Sequence, residues 1–357
     1  MRLLFALPGF HRFDRGAETA LLALAEACAR SGDEVTVMGS GDERPAAPYR
    51  FVHVPSIRRE RFERFPSFPP LRSDTNWEEA SFAPGLARRY RPGDYDVTVT
   101  CSYPFTNLLL RRAGRGGSRP RHVFVTQNGD WAARNRGSEY RWFGCDGLVC
   151  TNPDYLERNR DRWRCALIPN GVDTTRFSPG PSERARFGLP EGVKLVLMVS
   201  ALIPSKRVAD GVRAVAALPD THLVVAGDGV LRDDVRELAA EILPGRYTRL
   251  SIAADDMPRL YRSADAFLHM SLVESFGNVF IEAMACGLPI VAHDTSRLRW
   301  IVGDDERLVD TEQAGTVSAA LAEALAAGGS SDAGRAERFS WANVAAQYRS
   351  FFAELIA

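Results

Sequence analysis

The sequence predicts an α/β protein built as two parallel-sheet domains, and three observations carry that prediction. The chain has 357 residues, too long for one average domain and enough for two of ordinary size. Residues 2–38 read as strand, helix and strand, a βαβ unit that implies a parallel sheet with ligands at the strand C-terminal ends. A second strand–helix series then starts afresh after a stretch containing Pro and Gly at 178–191.

Taken in order, residues 2–7 form a short apolar strand. The apolar core of MRLLFALPGFHRFDRG is too short for a signal peptide and works better as that strand. Residues 8–16 are a loop ending at Gly16, and 18–31 carry Leu and Ala at helical spacing up to Gly32. Residues 34–38 are the next strand, followed by strands at 95–101, 122–126 and 147–151. No GxGxxG follows the first strand, so a dinucleotide fingerprint is missing. In the second series, 194–199 is a strand, 200–207 (SALIPSKR) its exit loop and 209–218 the helix behind it. Residues 223–226 are a strand ending in Gly227-Asp228-Gly229, and 264–269 precede the most informative stretch.

That stretch is SLVESFGNVFIEAMACGLPIVA at 271–292. Residues 279–286 read as a short apolar helix stopped by Gly287 with Pro289 beyond. The following 288–292 read as a buried strand. Glu274 therefore sits in a loop ahead of a helix N-terminus, and Glu282 lies one to two turns inside. A helix N-terminus suits a phosphate, Gly277 allows close approach, and carboxylates accept from hydroxyls. The set fits a polyhydroxylated anion such as a sugar nucleotide; the plainer alternative is a helix cap and a solvated face. Lys206 adds to the first reading. The chain has two lysines against 43 arginines, so a lysine in a strand-exit loop of this domain is a candidate phosphate ligand, with Arg207 beside it.

The N-terminal half is less explicit. Residues 55–77 are rich in Arg, Phe and Pro without clear period, a long surface excursion serving as lid, acceptor surface or filler. Gln127, Asn128, Asp130 and Trp131 gather hydrogen-bonding groups beside an aromatic ring, as an acceptor contact or an ordinary Asn-Gly turn. Residues 1–168 carry a charge of +6 and the remainder −6. The basic half suits an anionic acceptor, a peripheral contact at the inner face of a membrane, or the acidic half itself. Strand-and-helix alternation, rather than basic-aromatic interleaving, argues against nucleic acid as the main partner. Six cysteines lack metal-ligand spacing and read as reduced thiols of a cytoplasmic protein. Composition of 45% hydrophobic and 25% charged residues fits a soluble globular chain, and no run of 18 apolar residues exists. Arg-for-Lys usage and abundant Ala suggest a bacterium with a GC-rich genome.

IPNGVD at 168–173, SALIPSKR at 200–207, AGDG at 226–229 and ESFGNVFIEAMACGLPIVA at 274–292 together resemble the retaining family 4 glycosyltransferases of the GT-B fold. Residues 15–37 resemble that family's first loop and helix, and 339–355 its C-terminal helix crossing back to the first domain. Residues 40–120 carry little resemblance. The resemblance implies two Rossmann-like domains facing each other across a cleft. Residues 1–168, completed by 341–357, would bind acceptor, and 169–340 would bind the nucleotide sugar. It implies that Glu282 holds ribose hydroxyls, that Glu274 contacts the donor sugar, and that Phe276, Gly277, Asn278 and Val279 offer backbone N–H groups. Lys206, with Ser205 and Arg207, would meet the diphosphate, as would Gly16 and Gly227. No cofactor and no metal are expected beyond the donor, a UDP or GDP sugar. The acceptor would be a glycan, a lipid-linked species or a small metabolite.

Two departures from the family stand out. The Arg usual a few positions before the phosphate lysine is Ala201, and the loop where many relatives place a His reads Gln127-Asn128-Gly129-Asp130. Either Asp130 acts as base or the leaving phosphate takes the acceptor proton, the latter being favoured. The competing expectations are a nucleotide-sugar enzyme of other chemistry, an epimerase or phosphorylase, and a catalytically silent binding protein.

Overall fold

A computed structural model describes all residues except 14, 115–116, 305–306, 314 and 329–332. The chain divides into two compact units, residues 1–171 with 341–357, and residues 172–340.

The first unit contains β1 (Arg2–Ala6), α1 (Gly16–Arg30), β2 (Glu34–Gly39), β3 (Arg50–His53), α2 (Asp74–Arg89) and β4 (Val97–Thr100). It continues with α3 (Phe105–Leu110), β5 (Arg121–Val125), α4 (Trp131–Arg134), β6 (Gly147–Cys150), α5 (Pro153–Asn159) and β7 (Cys165–Leu167). Its strands pair in parallel in the order β3-β2-β1-β4-β5-β6-β7, with Leu4 opposite Thr36 on one side and Thr98 on the other. The order reverses between β1 and β4.

The second unit contains β8 (Lys194–Val199), α6 (Val208–Ala216), β9 (Thr221–Ala226), α7 (Arg232–Ile242), β10 (Tyr247–Leu250), α8 (Met257–Arg262) and β11 (Ala266–His269). After these come α9 (Asn278–Ala285), β12 (Ile290–His293), α10 (Ser296–Val302), β13 (Arg307–Val309), α11 (Thr316–Ala327) and α12 (Ala333–Ala336). Its parallel order is β10-β9-β8-β11-β12-β13, reversing between β8 and β11. The final helix, α13 (Trp341–Ile356), belongs to the first unit.

The inner strands β1 and β8 are apolar without alternation after their first residue because both faces of each sheet are covered there. In β8, Leu195 and Leu197 enter a core with α9 and α10, while Val196 and Met198 enter another with α6 and α11. In the first unit Val344, Tyr348, Phe351 and Phe352 of α13 share one core with Leu3 and Phe5 of β1 and Leu21 and Leu24 of α1. Among the described residues no helix is long and apolar enough to cross a membrane.

The excursion expected over 55–77 is shorter and better packed than its composition suggests. Ser73 caps α2, its hydroxyl accepting from the Asn76 N–H, so the end of that stretch is already helix. The rings of Phe62, Phe65 and Phe68 gather on Trp77 with centroids 5.9, 5.2 and 5.9 Å away. The Phe-rich composition reflects a local aromatic cluster.

Candidate functional site

In an open parallel sheet the exit loops gather where strand order reverses. In the second unit that point lies between β8 and β11, and it brings together residues far apart in sequence. Lys206 ends a single 3₁₀ turn in the loop after β8, and Glu274 stands in the loop after β11. Lys206 Nζ pairs with Glu274 Oε1. His269, the last residue of β11, brings Nε2 to 3.3 Å from that same oxygen. Burial pulls the His269 pKa down to about 4, against the opposite pull of Glu274, so the ring is neutral near pH 7. Its Nδ1 is buried without a hydrogen-bond partner.

Beyond Glu274 the chain turns into α9 through Gly277, at φ +90°, where a Cβ would meet the Phe280 ring at 2.6 Å. Both facts require glycine there. The N-cap of α9 is Gly277, which has no side chain of its own to cap the helix, and the partial positive charge of the helix start lies at this turn. Asn278 and Val279 open the helix. Phe276 is buried against Trp300 and Phe339, which leaves only its backbone for contact with a ligand. One to two turns in, Glu282 accepts a 2.8 Å hydrogen bond at Oε2 from the Tyr261 hydroxyl. Burial of the Glu282 carboxyl raises its pKa; burial and the Glu282 charge hold the Tyr261 phenol well above its ordinary value. Tyr261 is therefore the donor of the pair.

Arg207 lies beside Lys206 but is turned into the protein. It sits at φ +51°, gives Nε to Asp210 (2.9 Å), and gives Nη1 and Nη2 to the hydroxyl and carbonyl of Thr311 (both 3.0 Å). Its observed work is to tie the β8 exit loop to the chain after β13. Ser205 and Ala201 are exposed on the same loop. A Cβ on Gly227 would meet the Ser200 carbonyl at 1.9 Å, so packing alone accounts for that glycine. Gly16, the first residue of α1, differs: a Cβ there would meet nothing within 4 Å.

The loop after β5 in the first unit corrects part of the sequence reading. Asp130 is 6% exposed and gives both oxygens to Arg158 (3.0 and 3.1 Å), with Asn159 on Oδ2 at 2.9 Å. A carboxylate so held ties α4 to α5 and is not presented as a base. The side-chain amides of Gln127 and Asn170 exchange hydrogen bonds at 2.6 and 3.1 Å. The Asn128 carbonyl accepts from the Trp131 indole at 3.2 Å. Trp131 itself stays 39% exposed, the one large surface this loop offers.

His269 and Tyr261 escaped the sequence reading. A histidine at the C-terminal end of a buried strand was the available signal for the first. The second lies 21 positions from its partner, and only the fold joins them.

Two family models match the chain, "Glycosyltransferase Family 4" over residues 15–176 and "Glycosyl transferases group 1" over residues 181–339. The chain is 36% identical over 200 residues to the D-inositol 3-phosphate glycosyltransferase of Mycolicibacterium smegmatis, covering 52% of this chain and 46% of that one. It thus spans about half the length of that relative. It is 27% identical over 324 residues to the lipopolysaccharide core biosynthesis glycosyltransferase LpsE of Rhizobium meliloti, covering 88% of this chain and 86% of that one. Sucrose-phosphate synthase from Thermosynechococcus elongatus shares the fold, with a TM-score of 0.77 at 22% identity over 99% of this chain and 98% of that one.

Proposed function

Because the chain belongs to family 4 of the glycosyltransferases and has their GT-B fold, we propose that it moves a sugar from a nucleotide-diphosphate donor to a hydroxyl acceptor. The reaction retains configuration at the transferred carbon and uses no metal. The observation that carries this reading is the meeting of Lys206, His269 and Glu274 at the β8/β11 switch point, on the approach to the N-terminus of α9.

Departure of a nucleoside diphosphate develops negative charge. Lys206, a compact point charge, and the α9 N-terminus oppose it from fixed positions. As donor enters, Lys206 exchanges its carboxylate partner for the diphosphate, and Glu274 accepts from sugar hydroxyls. Glu282, with Oε2 held by Tyr261, offers Oε1 to the ribose. The acceptor enters on the leaving-group face and its proton passes to the departing phosphate, so no side-chain base is needed. Gly16, with open space where a side chain would be, is the candidate for a close backbone approach to the diphosphate. UDP or GDP is the expected nucleotide, and a glycan, lipid-linked species or small metabolite the acceptor.

The test is thermal stabilisation by UDP, GDP, ADP and dTDP, with and without Mg²⁺, on the wild type, Lys206→Ala and Glu282→Ala. A ligand at 100 times its Kd stabilises by about 2.7 kcal/mol. One nucleotide acting without Mg²⁺ and losing its effect in both variants supports the reading. No shift from any nucleotide overturns it.

A further inference from the structure

A cavity of about 200 Å³ lies within the first unit. Tyr103 follows β4 and Trp131 follows β5, so the cavity opens at the C-terminal end of the sheet beside its switch point. Its walls also include Arg72, Asn76, Glu139 and Tyr140.

Three rings form one aromatic corner. Tyr103 and Tyr140 run nearly parallel, 23° apart with centroids at 6.1 Å, and Trp131 stands across their edges at 5.9 and 5.6 Å. The corner is held in place. The Tyr103 hydroxyl donates to the Glu139 carbonyl, and the Trp131 indole to the Asn128 carbonyl. The Asn76 amide donates to the Tyr103 carbonyl at 3.0 Å.

The charges in the cavity cancel. Arg72 gives Nε and Nη2 to the two oxygens of Glu139, whose residue is only 3% exposed. The guanidinium holds the Glu139 carboxyl down to about 2, so the pair stays ionic. An aromatic corner alone would suit a quaternary ammonium. Here the guanidinium carbon already lies 5.8 Å from the Tyr140 ring centroid and opposes a second cation. The Glu139 carboxylate likewise opposes a phosphate, and Arg72 is not a free cation to receive one. What fits is a neutral molecule with an apolar face and a polar rim. A pyranose ring is such a molecule: its C–H face lies on the negative π-face of an aromatic ring, and its hydroxyls meet the hydrogen-bonding groups of Arg72, Asn76 and Tyr140. The volume is below the roughly 300 Å³ at which pockets for drug-sized ligands begin, so it takes one ring.

We propose that this cavity binds one neutral pyranose unit of the acceptor, packed into the corner between Trp131 and Tyr140. The assignment to the acceptor rests on the transferase reading; the binding of the ring does not.

The experiment is saturation-transfer NMR on the full chain with methyl α-D-glucopyranoside, galactopyranoside and mannopyranoside. Inositol 3-phosphate serves as competitor, and the variants are Trp131→Ala and Tyr140→Ala. Expected is binding of at least one glycoside, saturation of its ring protons, no displacement by inositol 3-phosphate, and affinity about tenfold weaker in each variant. The melting shift given by nucleoside diphosphate is measured alongside, and its persistence in the variants shows that they are folded. Binding of none of the three glycosides overturns the proposal, as does equal binding by wild type and both variants, or displacement by the phosphate. If glycoside binds as expected while no nucleotide does, the cavity stands as a sugar site and the transferase reading falls.

Discussion

The Tyr261 hydroxyl donates to Glu282 Oε2 at 2.8 Å, from a ring with no exposed surface. The phenol thereby fixes the carboxylate that we propose holds the nucleotide ribose. A hydrogen bond to a charged group contributes about 1.5–3 kcal/mol. Tyr261→Phe is therefore expected to weaken nucleoside diphosphate binding about tenfold, read by calorimetric titration, while the value of kcat at saturating donor changes little. Unaltered affinity would separate Tyr261 from the site.

His269 sets the second expectation. Its neutral ring touches the Glu274 carboxylate that Lys206 also holds, which makes it a positioning residue for the carboxylate we propose to contact the donor sugar. His269→Leu removes the polar contact and is expected to lower kcat about tenfold, the effect of about 1.4 kcal/mol lost in the transition state. The donor KM should stay near its wild-type value. His269→Gln keeps an N–H donor and should recover most of the rate. If Leu and Gln behave alike, the residue only fills space.

Why some of this was legible and some was not follows from particular residues. Strands β1, β8 and β12 read clearly because covered sheets make most of their sequence apolar. The ends of α9 read clearly because Gly277 and Gly287 both take positive φ. Helix α2 was invisible for the opposite reason. Its inner face carries Glu78 and Glu79 as well as Phe82 and Leu86, and Pro84 stands inside it, so the 3.6-residue apolar period is broken. Lys206 and Glu274 were singled out from local sequence and the structure brings them together, whereas the ties of Asp130 were not legible because its partners Arg158 and Asn159 come from another helix.

Arg207 and Ala201 give paired predictions. If Arg207 is the tether its bonds describe, Arg207→Met should lower unfolding free energy by about 1–3 kcal/mol in urea. Nucleotide affinity should then change less than about threefold, because the charge proposed to meet the diphosphate is that of Lys206. Ala201→Arg restores a guanidinium to the same exposed loop and should tighten nucleoside diphosphate binding by several-fold, an effect that shrinks as salt is added. The reverse pattern, with Arg207→Met abolishing nucleotide binding in a stable protein, would return Arg207 to the diphosphate.

Glu79 predicts a pH dependence of stability with an unusual sign. It is 1% exposed in α2 and accepts from the Thr106 N–H at 2.7 Å through Oε1, while Oε2 has no hydrogen-bond partner. Burial lifts its pKa to about 7, although hydrogen bonds from Thr106 and Ser102 pull the other way. In the unfolded chain the same carboxyl titrates near 4.3. Between those values the folded state holds one more proton. Stability from this group is therefore full below about 4.3 and is lost as pH rises through 7, by about 1.4 kcal/mol per unit. Glu79→Gln is neutral throughout. Its unfolding free energy relative to wild type should rise from pH 5 to pH 7 and level off above, by a few kcal/mol in all. Every other titrating group is common to both proteins and cancels in that difference. Urea denaturation at pH 5, 6, 7 and 8 checks it, and parallel curves would mean that Glu79 is ionised in the folded chain across the whole range.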